Sequence, residues 1–278
     1  MAEKIWFITG ITSGFGRLMA EKLLKRGDKV AGTTRKPDAL QQLKTQHPDQ
    51  LWLTELELTD AENCRHSVQD AFAHFGRIDV VVNNAGYGLV GAGEEVTEEQ
   101  IEHQIDTNLL GSIRVIRAAL PLLRVQGGGR ILQVSSAGGQ IAFPNFSLYH
   151  ASKWGIEGFV ESVAQEVAPF HIEFTIVEPG ATQTGFSSSV VSAPPMEVYD
   201  STPAGHVRRI IAANSFPRPG DAEKVAQAMI DSVDQHPAPK RLPLGSDTYT
   251  AVRAALVERL EALDMQKEIA LGADLSPQ

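Results

Sequence analysis

The sequence predicts a doubly wound parallel α/β sheet, and two observations carry that prediction. Over the first 185 residues, short apolar runs alternate with longer stretches of helical spacing. The runs are apolar throughout, as in Ile5-Trp6-Phe7-Ile8, which suits strands buried on both faces. Strand, helix, strand, helix in that rhythm implies right-handed crossovers that lay helices on both sides of one sheet.

The first run stops at Thr9-Gly10. Phe15, Leu18, Met19, Leu23 and Leu24 then recur at helical spacing from about 14 to 26, and Gly27 is the stop signal. Further strands are expected at 30–34, 51–56, 80–83, 130–135 and 172–177, with helices near 60–75, 97–124 and 148–168. Beyond Gly180 the texture changes. Residues 186–220 carry Ser187-Ser188-Ser189, Pro194-Pro195 and Pro217-Arg218-Pro219-Gly220, and an insert of this length in a compact domain is usually functional or mobile. A helix at about 221–235, a short strand at 241–244 and an Ala/Leu/Glu-rich helix from about 248 complete the chain. Residues 1–278 read as a single domain with 186–220 as a substrate flap, since too few residues remain for a second one.

Composition narrows the function. The 278 residues are 42% hydrophobic and 21% charged, with 25 Lys/Arg against 34 Asp/Glu and a net charge of −9. No dense basic run is present, which argues against nucleic acid as a partner. The single cysteine, Cys64, has no partner for a disulfide or a Cys-based metal site, and it reads as an ordinary thiol on a surface helix. The eight histidines are scattered without an H-x-x-x-H or H-E-x-x-H pair, so no metal is expected. No apolar run reaches the ~18 residues of a spanning helix. Met1-Ala2-Glu3-Lys4 leads directly into strand-like sequence without the regions of a signal peptide, so a soluble cytoplasmic protein with no membrane partner is expected. Glu94-Glu95 and Glu98-Glu99 read as solvated charges near a helix start. Ser13, Ser187, Ser188 and Ser189 have no base at a suggestive spacing, which disfavours a serine hydrolase.

Thr9-Gly10-Ile11-Thr12-Ser13-Gly14-Phe15-Gly16 lies where the first strand meets the first helix. Glycine at 10 permits a tight turn, at 14 a close approach of backbone to a pyrophosphate, and at 16 close helix–strand packing. The helix N-terminus adds free N–H groups and partial positive charge. At the end of the second strand, where NAD sites usually place an acid, stand Thr33-Thr34-Arg35-Lys36. Arg35 suits a 2′-phosphate through a charge-assisted fork, which favours NADP(H).

Tyr149-His150-Ala151-Ser152-Lys153 places a phenol and an ammonium on one helical face. A free tyrosine titrates near 10, and a cation at ~5 Å in an effective dielectric of ~20 is worth about two pKa units. That brings Tyr149 toward useful proton transfer near neutrality. Ser135-Ser136 ends the preceding strand, Asn83-Asn84-Ala85-Gly86 ends the fourth, and Asn108 lies in a helical pattern that gives Asn no propensity advantage. Pro179-Gly180, with Thr182 and Thr184, follows the sixth strand. His150 reads as pocket rim or structural.

Taken in order, Thr9 to Gly16, Asn83 to Gly86, Asn108, Ser136, Tyr149, Lys153, Pro179-Gly180 and Thr184 resemble the landmarks of the short-chain dehydrogenase/reductase family. The resemblance spans roughly residues 4–185. Asn84-Ala85-Gly86-Tyr87-Gly88, the 177–182 segment and Leu242-Pro243-Leu244-Gly245-Ser246-Asp247 are similar to the branch that holds 17-beta-hydroxysteroid dehydrogenase-like and retinol-type reductases. It implies a Rossmann-type fold and an oxidoreductase that moves hydride between a nicotinamide and a ketone, aldehyde or secondary alcohol. It also implies roles. Tyr149 is the general acid/base, Lys153 tunes it and contacts ribose, and Ser136 orients the carbonyl. Asn108 holds a relay water, and Thr184 bonds the nicotinamide carboxamide. Asn83 to Gly86 pack against the adenosine-side ribose and stabilise the sheet edge. The cofactor contacts implied are Gly10, Thr12, Ser13, Gly14, Phe15 and Gly16, then Thr34, Arg35, Glu57, Leu58, Asn84, Ala85 and Gly86. Tyr149, Lys153, Pro179, Gly180, Thr182 and Thr184 complete the set. Glu57 departs from the pattern, because the family usually has there an Asp that contacts the adenine amine. Tyr87, Val90, Gln140, Phe143, Phe146, Phe186 and the 190–216 segment are expected to line a mainly apolar pocket. Relatives often pair through the helices at 97–124 and 148–168, which implies a homodimer or homotetramer. The alternative reading is a non-catalytic NADP-binding sensor on the same fold.

Overall fold

Seven parallel strands form the centre of the molecule in the order β3-β2-β1-β4-β6-β7-β9. They are β1 (Ile5–Ile8), β2 (Lys29–Thr34), β3 (Leu51–Glu55), β4 (Val80–Asn83), β6 (Gly129–Val134), β7 (Ile172–Pro179) and β9 (Arg241–Leu244). The computed structural model of the chain describes residues 3–213 and 215–275. The readings made on Met1, Ala2, Asn214, residues 276–278 and the side chains of Ser187 and Ser188 lie outside the described residues.

Alternation along β1 explains the two layers. Ile5 and Phe7 point into a core shared with α3 (Ala61–Phe75), α5 (Gly111–Gln126) and α6 (Ser147–Val167), where Val68, Phe72, Ile116, Leu123, Ile156 and Val160 are buried. Trp6 and Ile8 point to the opposite face, against Met19, Leu23 and Leu24 of α1 (Gly14–Arg26) and Val225, Met229 and Ile230 of α8 (Ala222–Ser232). A strand apolar at every position is therefore buried at every position, as expected for a sheet covered on both sides. Register is continuous from strand to strand, with Phe7 opposite Ala31 and Val81, and Ile131 opposite Phe174. The chain winds outward through β2 and β3, then returns across β1 to β4. Two crossovers thus leave in opposite directions between β1 and β4, and a crevice opens at the carboxyl ends of these strands.

Several elements depart from the sequence reading. A 3-10 turn at Pro37–Leu40 and the short α2 (Gln41–Gln46) fill the connection before β3, where Leu40 and Leu43 cap the core. The stretch expected as one helix over 97–124 is α4 (Glu98–Ile105), a π-helical turn at Asp106–Leu110, and α5. Cys64 is fully buried rather than on the surface, and burial pushes its thiol up to about 11, which keeps it unreactive.

The 186–220 segment is also more ordered than its composition implies. It holds β8 (Val191–Ser192), paired in parallel with β5 (Leu89–Val90), and α7 (Pro203–Ala212), which begins with proline at its first position. Val90 is buried in that pairing rather than facing a pocket. Asn145 donates to Ala204 O at 2.7 Å. Glu95, expected as a solvated charge, is buried and holds the segment down. It accepts from Ala92 N (2.7 Å) and Met196 N (2.8 Å) and pairs with Arg208 of α7 at 2.6 Å. Burial by itself would raise its pKa, but the two backbone donors and Arg208 outweigh that and hold the carboxyl below its ordinary range. Its contribution is therefore complete at neutral pH and lost as pH falls through the acidic range. The remaining helices are α9 (Ser246–Met265) and α10 (Lys267–Leu271). Among the described residues, no helix is long and apolar enough to cross a membrane.

Glu95→Ala leaves Arg208 and the Met196 N–H without their acceptor. The expected outcome is a loss of about 3 kcal/mol in urea unfolding and faster protease cleavage between residues 196 and 212 than in the parent.

Candidate active site

The crevice is built on one threonine. Thr9 Oγ1 accepts from Asn84 N (2.9 Å) and Ala85 N (3.0 Å), and Asn84 Nδ2 donates back to Thr9 O (2.9 Å) and Gly10 O (3.1 Å). These bonds fasten the loop after β1 to the loop after β4. The strand β4 is central, so Asn83 to Gly86 brace the glycine loop from the sheet's middle instead of stabilising an edge. Asn83 itself is buried and donates to Ser112 O (3.0 Å) and Gln133 (3.1 Å).

Gly10 and Gly14 adopt φ of +73° and +58°, a region that L side chains rarely occupy. A Cβ at Gly14 would meet nothing within 4 Å, so this backbone is open to the crevice. A Cβ at Gly16 would collide with the Gly10 carbonyl. Ser13 is the N-cap of α1 and forms no side-chain bond to the first turn. The loop thus fits a pyrophosphate: the helix N-terminus presents donors and the approach carries no side chains. Phe15 packs into the core, which leaves only its backbone for a ligand. Thr12 and Thr34 meet through their hydroxyls at 3.0 Å, and Gly10 N donates to Thr33 Oγ1 at 3.2 Å.

Arg35 stands at the end of β2, 72% exposed, with its guanidinium 3.9 Å from Glu57. Glu57 also accepts from Thr59 N (3.2 Å) and Thr59 Oγ1 (3.1 Å), so its carboxylate is engaged by its own turn. Leu58 is buried under Gly111.

Ser136, Tyr149 and Lys153 meet at the carboxyl ends of β6 and β7, where the next helix begins. The Ser136 hydroxyl lies beside that of Tyr149, close enough to favour its ionised form. Lys153 is buried, donates to Val134 O at 3.0 Å and has its Nζ 5.6 Å from the centroid of the Tyr149 ring. Its electrostatics correct the sequence expectation. Burial raises the Tyr149 pKa above its ordinary value, and the neighbouring Ser136 hydroxyl opposes this in part. Burial likewise lowers Lys153 to about 8, with the Glu157 charge opposing. In the free protein burial therefore prevails, and the neutral phenol is the favoured form.

Asn108 sits inside the π-helical turn. Its Oδ1 accepts from Tyr87 N (3.1 Å) and its Nδ2 donates to Tyr87 O (2.8 Å), so the amide fixes the loop that follows Gly86. The widened turn is what carries this side chain to that loop. Pro179 ends β7. Gly180 N donates to Leu244 O (2.8 Å), Thr182 Oγ1 donates to Gly180 O (3.0 Å), and Thr184 caps a short turn through Phe186 N (3.2 Å). Gln140 is turned to Glu178 at 2.7 Å rather than toward a pocket. Phe146 and Phe186 lie beside the Tyr149 ring, with centroids 6.3 and 6.1 Å away, and Phe143 packs on Phe146. His150 is buried against Phe143 and lowered to about 4 by burial, which makes it structural and neutral. An opening of about 460 Å³ is lined by Gln183, Thr184, Gly185, Phe216 and Arg218.

Two residues were missed from the sequence. Glu157 lies one turn beyond Lys153, and the i, i+4, i+8 series Tyr149, Lys153, Glu157 was available as a signal. Asp247 accepts from Ala181 N at 2.8 Å and lies against Gly180, but no local pattern marks it.

A family model described as short chain dehydrogenase matches residues 4–194. The chain belongs to the short-chain dehydrogenase family. An oxidoreductase of Botryotinia fuckeliana is 36% identical over 273 residues, covering 97% of this chain and 99% of that protein. A short-chain dehydrogenase of Streptomyces avermitilis superposes with a TM-score of 0.90 at 36% identity, over 98% of this chain and 99% of the other. An alcohol dehydrogenase of Thermococcus sibiricus complexed with 5-hydroxy-NADP gives 0.71 at 25% identity, over 87% and 96%. This short-chain dehydrogenase is thus an oxidoreductase on a Rossmann-like sheet.

Gly16→Ala forces the first helix away from Gly10. Binding of a reduced nicotinamide dinucleotide, followed by its fluorescence with NADPH and NADH in turn, is expected to weaken by at least about tenfold.

Proposed function

We propose that this short-chain dehydrogenase is an NADP(H)-dependent carbonyl reductase or alcohol dehydrogenase with Tyr149 as its general acid/base. The observation that carries the reading is the convergence of Ser136, Tyr149 and Lys153 at the sheet's carboxyl edge, with the Lys153 ammonium 5.6 Å from the centroid of the phenol ring. When bound, the dinucleotide supplies or accepts hydride at its nicotinamide, and the protein's part is orientation and proton handling.

Backbone groups at Gly10, Thr12, Ser13, Gly14, Phe15 and Gly16 hold the pyrophosphate. Thr34 and Arg35 take the 2′-phosphate, which leaves Arg35 with a stronger partner than a carboxylate 3.9 Å away. Asn84, Ala85 and Gly86 flank the adenosine half, beside Glu57 and Leu58. Pro179, Gly180, Thr182 and Thr184 face the nicotinamide half. Ser136 donates to the substrate oxygen, and Tyr149 hands its proton to that oxygen in reduction and recovers it in oxidation. Because burial favours the neutral phenol, Tyr149 starts as a proton donor in the free protein. Lys153, still mostly protonated at pH 7, adds positive charge that favours the phenolate once the proton has left. Asn108 acts by holding the Tyr87 loop. Phe143, Phe146, Phe186 and Tyr87 make the substrate side mainly apolar, suited to a ketone, an aldehyde or a bulky secondary alcohol. Residues 1–278 act as one domain, with 186–220 closing over the substrate.

The test is a panel of ketones and aldehydes followed at the NADPH absorbance band. Consumption with at least one carbonyl is expected, whereas binding without consumption against the whole panel would make the protein a sensor. Tyr149→Phe is expected to lower kcat by about 10³-fold while NADPH still binds. Arg35→Ala is expected to raise the KM for NADPH about tenfold and leave that for NADH unchanged, and an equal change with both cofactors would remove Arg35 from its role.

A further inference from the structure

Behind the Ser136, Tyr149 and Lys153 group lies a buried charge array that the mechanism above leaves unused. Glu157 and Glu178 are each almost wholly buried, on α6 and β7. Arg241, the first residue of β9, donates Nη1 to Glu157 Oε2 at 2.6 Å and to Glu178, and Nη2 to Glu161 at 2.6 Å. The second oxygen of Glu157 accepts from Ser135 Oγ at 2.5 Å, and Glu178 accepts from Gln140 at 2.7 Å. The Glu157 carboxylate also occupies the space that a Cβ would need at Gly139. Its contacts therefore sit on both sides of Ser136, at 135 and at 139.

Glu157 stands four residues after Lys153, on the same face of α6. Among the described residues, the charge that acts on this ammonium is that of Glu157. Tyr149 and His150 share its helix, Glu178 and Arg241 face Glu157 from β7 and β9, and Ser135 and Ser136 carry no charge. On the turn packed across α6, Asp106 is paired with Arg114 at 2.6 Å. Two buried carboxylates side by side repel one another, and one arginine donating to both offsets that repulsion.

We propose that Glu157 is a positioning residue of the site. Its carboxylate, held by Arg241, fastens the Ser136 loop through Ser135 and supplies the counter-charge that keeps the buried Lys153 ammonium protonated. This rests on the reading of Tyr149 and Lys153 as the proton-transfer pair.

The test separates the two. With lysines labelled at 13Cε, the resonance lost in Lys153→Arg identifies Lys153, whose titration is read by NMR without any turnover. Glu157→Gln is expected to lower that midpoint by about one pH unit or more. The alkaline limb of kcat/KM moves down with it, since activity is then lost earlier as pH rises. A folded Glu157→Gln protein with an unchanged midpoint overturns the proposal, whether or not a carbonyl substrate has been found. Ser135→Ala keeps the charge and removes only the tie to the loop. Its midpoint should stay parental while kcat falls roughly tenfold with NADPH affinity intact. Parental kcat in Ser135→Ala overturns the fastening, and this variant decides alone if Glu157→Gln does not fold.

Discussion

The hydroxyl of Thr9 is the constraint on which the site depends. It receives two backbone N–H groups from the loop after β4 while the Asn84 amide returns two bonds to the loop after β1. A crevice between strands whose crossovers leave in opposite directions has no covalent closure, so its width has to be set by contacts across it. These four bonds set it, and they are made by buried or half-buried groups for which water is a poor competitor. The glycine loop can then be left without side chains, open where a phosphate would lie.

Charge burial organises the opposite side of the site. Lys153, Glu157 and Glu178 are all removed from water, and each is satisfied by a specific partner: Val134 O, Ser135 with Arg241, and Gln140 with Arg241. A half-satisfied network of this kind would be worse than an apolar core. The satisfied one locks the end of β6, the start of α6 and the edge strand β9 into one rigid unit. The Glu95 cluster serves the 186–220 segment in the same way, tying Met196 and Arg208 to one buried carboxylate.

Strands and helices of the sheet were legible because burial on two faces writes itself as unbroken apolar runs. Val80–Asn83 and Arg241–Leu244 coincide with the sequence reading, and Gly14–Arg26 begins and ends where the glycines indicated. The π-helical turn was hidden because one extra residue per turn barely disturbs a helical apolar pattern. The two-residue strands β5 and β8 are too short for any periodicity to register. The residues proposed for chemistry stood out by spacing along the chain: the glycine loop, Ser136, and Tyr149 with Lys153. Glu95, Arg241 and Asp247 did not, because each acts on residues 63 to 113 positions away and a lone charge carries no record of its distant partner. Cys64 was misplaced on the surface for the same reason: its burial comes from packing between α3 and the sheet.

The position of Arg241 has a consequence for where this chain can be cut. The matched family region ends at residue 194, yet the cation shared by Glu157 and Glu178 arrives on the last strand of the sheet. A fragment trimmed to the recognisable region would retain every residue proposed to hold the dinucleotide, together with Ser136, Tyr149 and Lys153. It would also leave two neighbouring buried carboxylates without the arginine they share. The C-terminal third is therefore an electrostatic keystone, and the minimal catalytic unit is longer than the signature by which the protein is recognised.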